Sequence, residues 1–513
     1  MRIGIDVGGT NTDAVLMDGN SIAAAVKQAT SPDVTTGIVR ALTALREQHR
    51  FDGSEIGAVM IGTTHFLNAL VRAERLAPTA AVRLGLPATG QLPPFTGWPA
   101  HLVRAMRGRG YLAHGGYEFD GRVISRIDPE ELKRHAADIA AHGVRSVALS
   151  SVFSPVNSEF EQEAALILAA ELGPGVAFSL SHEIGRIGLL ERENATIINA
   201  TLRELADVIV AGLAASAVRS GIAAPLFISQ NDGTLMDVEY ARRYPVATFA
   251  SGPTNSMRGA AVLSGLDTCA VVDVGGTTTD VGTVVQGFPR EAAGAVAVAG
   301  VRTNFRMPDV LSVGVGGGSH VSEDGSLVGP GSVGYRLQEE ALIFGGRTLT
   351  ATDAAVAAGL ADIGDASLVA HVAPSAARRA LAVIADRVAD ALERMRTSPV
   401  PLPVVAVGGG SVLLPGAFPG IGAVTRPDGF SVANAVGAAI AQVSGEVDTV
   451  YAPREARGGT TADEARQEAV DRAIAAGAAP SSVTVVDFDE VPIPYLRGNA
   501  KRIRVKAVGD LVV

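Results

Sequence analysis

Short apolar strands alternate with amphipathic helices along most of the chain. RIGIDV at 2–7 is an apolar run closing on Asp6 and Val7, and AVLMDG at 14–19 resumes after a polar turn. This predicts a strand–turn–strand hairpin rather than a strand feeding a helix. SPDVTTGIVRALTALREQ at 31–48 carries apolar residues at helical spacing. IGAVMIGTTHFLNALVRAE at 56–74 reads as strand, turn, helix, with Thr63, Thr64 and His65 at the junction. The stretch 79–126 is broken by Gly and Pro and is predicted as an irregular cover with short strands, not a second Rossmann unit. IDPEELKRHAADIAAHGV at 127–144 is a helix opened by Asp128 and Pro129. RSVALSSVF follows as a strand and EFEQEAALILAAELG as a helix, and 195–218 is a long helix.

The second half repeats the pattern. PLFISQNDGTLM enters a turn, TFASGPTNSMRGAAVLSG turns into a helix, and CAVVDVGGTTTDVGTVVQG at 269–287 is again strand, turn, strand. Residues 351–360 and 373–396 are helical by period. PVVAVGGGSVLLPG at 403–416 is predicted as strand, glycine turn and helix, and SVANAVGAAIAQVS at 431–444 as a late helix. A helix within 454–478 is followed by alternating strands to residue 510.

No uniform repeat of short period runs through the chain; one large motif is used twice. DVGGTNTD (Asp6–Asp13) and DVGGTTTD (Asp273–Asp280) match at seven of eight positions. In each, paired glycines let backbone N–H groups approach an anion closely. Thr10 and Thr12, and Thr277 and Thr278, add hydroxyl donors beside Gly8, Gly9, Gly275 and Gly276. A carboxylate beside phosphate repels it, and a hard divalent cation removes the conflict. The motif therefore assigns Asp6 and Asp273 to a Mg²⁺–phosphate environment, with Asp13 and Asp280 as further metal candidates. Two such turns facing each other can hold one polyphosphate. Neither copy is a G-x-G-x-x-G turn or a lysine-bearing phosphate loop. Gly408, Gly409, Gly410 and Ser411 form a third glycine turn suited to the adenosine of a nucleotide, and VGVGGGSH at 313–320 is a similar stretch that is equally a structural turn.

Composition narrows the class. The chain has 513 residues, 59 of them Gly, is 47% hydrophobic and only 4% aromatic, as in an α/β protein with more than one core. A net charge of −10 with no basic block excludes bulk attraction to nucleic acid or an anionic membrane. The single cysteine, Cys269, rules out an internal disulfide and reads as a core thiol. The opening lacks a signal-peptide pattern and no long apolar run reads as a membrane span, so a cytoplasmic location is expected. His65 is the substrate-side candidate, able to polarise a carbonyl or exchange a proton, with Asn68 one helical turn onward. His182 with Glu183 is a second polar cluster, and none of the nine histidines lies in a zinc-protease arrangement.

These turns resemble those of the sugar kinase, heat-shock ATPase and actin superfamily. The opening, 61–74, 181–200, 228–236, 251–260, the second DVGG turn, VGVGGGS and VPIPYLRGNAKRIRVKAVG together resemble the hydantoinase A/5-oxoprolinase family, over almost the whole chain. The resemblance implies an α/β fold of two ribonuclease-H-like lobes around an ATP cleft, with a small C-terminal β-containing extension. The expected division is 1–190, 191–446 and 447–513. It implies ATP and Mg²⁺ as cofactors and a small cyclic amide, or a related carbonyl compound, as substrate; the residues themselves offer Asp6, Asp273 and His65 as the catalytic set. It also implies phosphoryl activation of the ring carbonyl, by the chain alone or with a hydantoinase B-like subunit, and leaves a homo-oligomer open. A small-molecule kinase of the same fold and a non-catalytic ATP-binding subunit are the alternatives.

Overall fold

A computed structural model describes residues 1–8, 11–29, 34–451, 461–493 and 500–512. The chain opens with β1 (Arg2–Val7), β2 (Asn11–Asp18), β3 (Ser21–Ala29), α1 (Val34–Gln48), β4 (Ala58–Thr63) and α2 (His65–Arg72). Next come β5 (Thr79–Leu86), α3 (Ala100–Ala105), β6 (Arg109–His114), α4 (Pro129–Ala141), β7 (Ser146–Ser151), α5 (Glu159–Leu172), β8 (Ala177–Leu180) and the 31-residue α6 (Leu189–Arg219). Then β9 (Leu226–Ser229), β10 (Leu235–Asp237), α7 (Val238–Arg243) and α8 (Ser251–Ser264) lead to the second hairpin, β11 (Cys269–Val274) and β12 (Thr279–Val285).

The remainder runs through short elements: β13 (Phe288–Pro289), β14 (Val296–Val298), β15 (Val301–Thr303), β16 (Val310–Val313), β17 (Ser319–Val321) and β18 (Val328–Ser332). Helices α9 (Leu337–Glu340), α10 (Ala351–Ala357) and α11 (Pro374–Met395) precede β19 (Val404–Val407), β20 (Ala417–Phe418) and β21 (Gly422–Thr425). The chain finishes with α12 (Ala433–Ala438), β22 (Gln442–Tyr451), α13 (Thr461–Ala475), β23 (Thr484–Pro492) and β24 (Lys501–Asp510).

Two sheets organise the lobes. The first has nine strands in the order β23-β24-β22-β10-β9-β4-β1-β2-β3; the second is built on β13-β12-β11-β19-β21-β20, with β16 on β12. The nine-stranded sheet draws strands from all three segments bounded at 190 and 446, and its β-rich C-terminal part extends the first lobe. β1 and β4 are buried almost throughout because both faces are covered. One face packs Ile3, Ile5 and Ile61 with α1 and α6; the other packs Met60, Val443 and Val505 with Ala465, Ala469 and Ala473 of α13.

Residues 79–126 differ from the irregular cover expected of them, and join the expected helices and strand that follow, to residue 180, in one unit. They form a four-stranded all-parallel sheet, β6-β5-β7-β8, with α4 and α5 on a core of Val82, Leu84, Val147, Leu149 and Leu168. The long Gly- and Pro-rich crossover between β5 and β6 masked the strand periodicity. Arg83 at 1% exposure meets Glu193 of α6 through Nε–H to Oε2 at 2.6 Å, and Ser150 Oγ donates to the same oxygen at 2.9 Å. That buried pair ties the sheet to α6; removing one partner would strand a charge. Two further expectations change. After the glycine turn at 408–410 there is one 3₁₀ turn, Ser411–Leu413, not a helix, and the late helix is cut to α12 because β22 begins at Gln442. Among the described residues no helix is long and apolar enough to cross a membrane.

Helices α8 and α12 cross against β1 where only glycine fits. A Cβ on Gly259 would lie 1.8 Å from the Ala433 carbonyl oxygen, and one on Gly437 1.8 Å from that of Asn255. A Cβ on Gly4 of β1 would lie 2.2 Å from the Ala435 oxygen. This close crossing brings the polar residues of both helices to the ends of the first hairpin.

Candidate functional site

The two DVGG copies fold alike. In β1–β2, Asp6 pairs opposite Asp13; in β11–β12, Asp273 pairs opposite Asp280. The turns close through Gly8 N–H to the Asn11 oxygen at 3.0 Å and Gly275 N–H to the Thr278 oxygen at 2.9 Å. Each first strand has a parallel neighbour in the same register, with Asp6 level with Gly62 of β4 and Asp273 level with Val407 of β19. Thr63–Thr64 and Gly408–Gly409 therefore occupy equivalent places, one after each neighbouring strand. The repeat is a hairpin plus a parallel strand and its loop, larger than the eight residues visible in sequence.

Gly9 and Thr10 lie outside the described residues. Thr12 and its counterpart Thr279 are wholly buried, and Thr279 Oγ1 donates to the Val315 oxygen at 2.7 Å. Thr277 and Thr278 are exposed at the second turn beside half-buried Gly275 and Gly276.

The carboxylates gather between the lobes. Asp6 is 4% exposed and accepts from Asn255 Nδ2 at 3.3 Å and Asn434 Nδ2 at 3.0 Å. Burial, and then the charge of Asp13, push its carboxyl up to about 6 against those two bonds; Asp273 adds to the rise. Asp13 holds Lys27 Nζ with both oxygens, at 2.7 and 2.6 Å, and takes a bond from Asn434 at 3.0 Å. Burial raises Asp273 as well, opposed by a hydrogen bond from Ser256 and the positive charge of Lys27. Asp280, bonded by Ser312 Oγ, is pushed up to about 6, chiefly by burial.

Four of these partners, Lys27, Asn255, Ser256 and Asn434, were not singled out by sequence. Asn255 and Ser256 are consecutive on α8, and one serves each lobe's acid. The start of α8 is pinned by Ser251, whose Oγ donates to the Thr63 oxygen at 3.1 Å and accepts from Thr63 N–H at 3.3 Å. The available signal was the polar pair inside SGPTNSMRGA, on a helix otherwise rich in small residues.

Glycine loops brace the second turn from both sides. Gly408 has φ +82°, and a Cβ there would lie 2.3 Å from Asp273 Oδ1. Gly410 N–H donates to the Val274 oxygen at 2.9 Å, Gly409 is exposed, and Ser411 is wholly buried. On the other side, Gly317 and Gly318 N–H donate to the Gly275 and Gly276 oxygens at 3.0 and 2.7 Å. Ser319 Oγ accepts from Gly316 N–H at 2.9 Å, so the 313–320 stretch supports the turn, and His320 faces outward.

His65 opens α2 beside the first hairpin. Thr63 Oγ1 lies 2.7 Å from His65 Nδ1 and accepts from the His65 backbone N–H at 3.3 Å. Thr63 is 1% exposed, and its hydroxyl proton is satisfied by donation to Nδ1. That leaves the ring hydrogen on Nε2. Burial, with Arg75 and Arg72 nearby, holds His65 down to about 4, so the ring is neutral at pH 7 and a donor at Nε2. Asn68 Nδ2 donates to Thr64 Oγ1 at 3.3 Å. The expected His182–Glu183 cluster does not form: Glu183 binds Arg243 and Tyr244, and His182 binds Glu161. Cys269 is buried and its thiol pushed up to about 11, as an inert core thiol requires.

Among the described residues no three Asp, Glu, His or Cys side chains form a ready cation cage. Mg²⁺ is usually held by one or two carboxylates together with phosphate oxygens, and the crowded pair Asp6 and Asp273 fits that use.

The N-terminal region model for hydantoinase/oxoprolinase matches residues 2–172, and the hydantoinase/oxoprolinase model matches 192–397. The chain is 29% identical over 384 residues to caprolactamase subunit alpha of Pseudomonas jessenii, covering 70% of this chain and 55% of that protein. It is 26% identical over 406 residues to the acetophenone carboxylase gamma subunit of Aromatoleum aromaticum, covering 70% and 53%. The chain thus spans about half the length of the curated relatives it matches. Among solved structures, the ATP-dependent caprolactamase of Pseudomonas jessenii superposes with TM-score 0.79 at 20% identity, covering 100% of this chain and 88% of that one. Nucleotide-free acetone carboxylase superposes with TM-score 0.71 at 17% identity, with the same coverage. Paired hairpins, two lobes and both family matches agree: the chain belongs to the hydantoinase/oxoprolinase family and has the two-lobed fold of sugar kinases, heat-shock ATPases and actin.

Proposed function

We propose that the chain uses ATP to open a small cyclic amide by phosphoryl activation of the ring carbonyl, alone or as the ATP-using subunit of a complex. The observation that carries this reading is the pair of equivalent hairpins, each with its acid pair at the turn, which bring Asp273 near enough for its charge to raise the Asp6 carboxyl. Likeness to a caprolactamase supports the amide.

Nitrogen resonance makes a lactam carbonyl a poor electrophile. Transfer of the ATP γ-phosphoryl group to its oxygen makes the carbon susceptible to water, and loss of phosphate then accompanies ring opening. Mg²⁺, when bound, neutralises charge between the phosphates and the carboxylates. Asp6 and Asp273 would hold it. Lys27, clamped by Asp13, places a fixed positive charge at the cleft that both DVGG motifs lack. Backbone N–H groups of the turns with Thr277 and Thr278 cradle phosphate, and Gly408–Gly410 border adenosine. His65 acts as a neutral donor from Nε2 toward the carbonyl oxygen. A water-excluding closure of the lobes fits this division of labour.

The test is phosphate release from Mg²⁺ and ATP across hydantoins, 5-oxoproline and simple lactams, with mass detection of each organic product. Substrate-stimulated release with an opened ring supports the reading; a phosphorylated product makes the chain a kinase. The carboxylase relatives favour a second reading, activation of a ketone or bicarbonate for carboxylation. Phosphate release that requires both a ketone and bicarbonate selects it.

A further inference from the structure

Helix α2 carries a polar stripe that leads away from the phosphate cleft. At about 100° per residue, His65, Asn68 and Arg72 fall within an arc of about 60°, while Phe66 and Leu70 point to the core against α6. The stripe begins at the first hairpin, where Thr64 Oγ1 donates to the Val7 oxygen at 3.5 Å. Arg72 is seven residues beyond His65, about 10 Å along the axis. Long helical side chains lean toward the helix N-terminus, so the guanidinium of Arg72 returns along the stripe toward Asn68.

Past the helix the chain bends sharply. Ala73 (φ +56°) and Arg75 (φ +57°) are both left-handed, two of the seven such non-glycine residues among those described. The first closes the helix: the N–H groups of Ala73 and Glu74 donate to the Leu70 and Ala69 oxygens at 3.1 and 2.9 Å. The second is no part of that cap. It lets Leu76 pack back onto the core while Arg75 stays outside. A strained backbone of this kind persists where its surroundings hold it, and functional sites are where such residues gather.

The two arginines are also unengaged. Both are exposed, and among the described residues neither has a hydrogen-bond or ion-pair partner. Glu74, the one carboxylate of this helix and turn, is exposed and pairs with neither. After burial, the charges of Arg75 and then Arg72 are what hold the His65 ring below its ordinary value, so both act at the ring. In a chain of net charge −10, two guanidiniums within electrostatic reach of one neutral donor make a local positive potential.

We infer that the substrate is a carbonyl compound that also bears a carboxylate, with His65 meeting the carbonyl and Arg72 and Arg75 holding the anionic end further along α2. This rests on the reading of His65 as the substrate-side donor, and adds to it the charge of the substrate and the residues that select it. The stripe sets the anion at the end remote from Asp6 and Asp13, which repel it.

The experiment is calorimetric titration of the full chain with levulinate, with the keto acid one carbon longer, and with the methyl ester of each, which keeps the ketone and loses only the charge. Arg72→Gln, Arg75→Gln and His65→Gln accompany it. The acids should bind at least about tenfold more tightly than their esters, the effect of charge-assisted hydrogen bonds. Each arginine variant should weaken the acids about tenfold while leaving ester binding and the melting temperature unchanged. Equal binding of acid and ester, undiminished acid binding in both arginine variants, or no binding of either acid would overturn the inference. Acid selection lost in the arginine variants but untouched by His65→Gln would sink the role given to His65 and leave the arginine pair as the selector of charge. The readout is binding, so absent ATP turnover would sink the proposed reaction alone.

Discussion

Asn434 bridges the first lobe's two acids, and replacing it with alanine has a calculable effect. Its Nδ2 donates to Asp6 and to Asp13, each at 3.0 Å. A hydrogen bond to a charged group contributes roughly 1.5–3 kcal/mol, and one pKa unit is about 1.4 kcal/mol. Losing the bond to Asp6 should therefore raise its carboxyl from about 6 by roughly one to two units. At pH 7 the wild-type group is roughly nine-tenths ionised and the variant about one-tenth to one-half. If the ionised form holds the Mg²⁺–nucleotide complex, affinity at pH 7 falls about two- to tenfold and returns near pH 9. Calorimetric titration with Mg²⁺ and a nonhydrolysable ATP analogue across this pH range gives the midpoint directly. The same midpoint in both proteins would refute the reasoning. So would an equal loss at every pH, which would instead mark Asn434 as a packing residue of the α8–α12 crossing.

Three other outcomes follow from the same cleft. Asp6 titrates near 6 when folded, against about 3.9 for an unfolded aspartate. The folded state then binds more protons between those values, so the nucleotide-free protein should lose stability as pH rises from about 4 to 6, by roughly 2–3 kcal/mol for this group. Thermal melts should show that fall, and Mg²⁺ with nucleotide should offset it above pH 6; a flat profile would contradict the buried, crowded carboxylate. Gly408→Ala should abolish nucleotide binding and lower the melting temperature, since its Cβ meets Asp273 at a positive φ, whereas Gly409→Ala, with nothing within 4 Å, should keep the wild-type melting temperature and weaken nucleotide binding alone. Lys27→Gln should leave Asp13, 3% exposed, without its counter-ion and weaken nucleotide binding several-fold; unchanged binding would remove Lys27 from the phosphate environment.

The phosphate turns were legible because everything they need is local: a strand end, two glycines and an acid in eight residues. The partners of those acids were not. Asn255 and Asn434 lie 249 and 428 residues from Asp6, and a glycine-enabled helix crossing brings them there. Period alone names neither side chain. The β5–β6 half of the parallel sheet, within 79–126, was hidden by its Gly- and Pro-rich crossover, and the truncated helix at α12 by a half-buried strand, β22, that begins within the same apolar run. His182 was noticed, but its adjacent Glu183 suggested the wrong carboxylate; the true partner, Glu161, comes from the preceding helix through the β8 turn. Thr12 matched its motif and still faces the interior, because alternate positions of β2 point to opposite sides.

The strand order of the first sheet also sets a schedule. β24 pairs with β22, and β22 with β10, so residues beyond 440 extend a sheet begun by residue 2. During synthesis, chain elongates at about 5–20 residues per second, so the edge of β10 waits tens of seconds for its neighbour. Until then it presents unpaired N–H and C=O groups, and Met60, Leu235 and their neighbours lack the cover of α13. The first lobe to emerge from the ribosome is thus completed only after the second has been made, and that interval is where a holding chaperone would have most effect on yield.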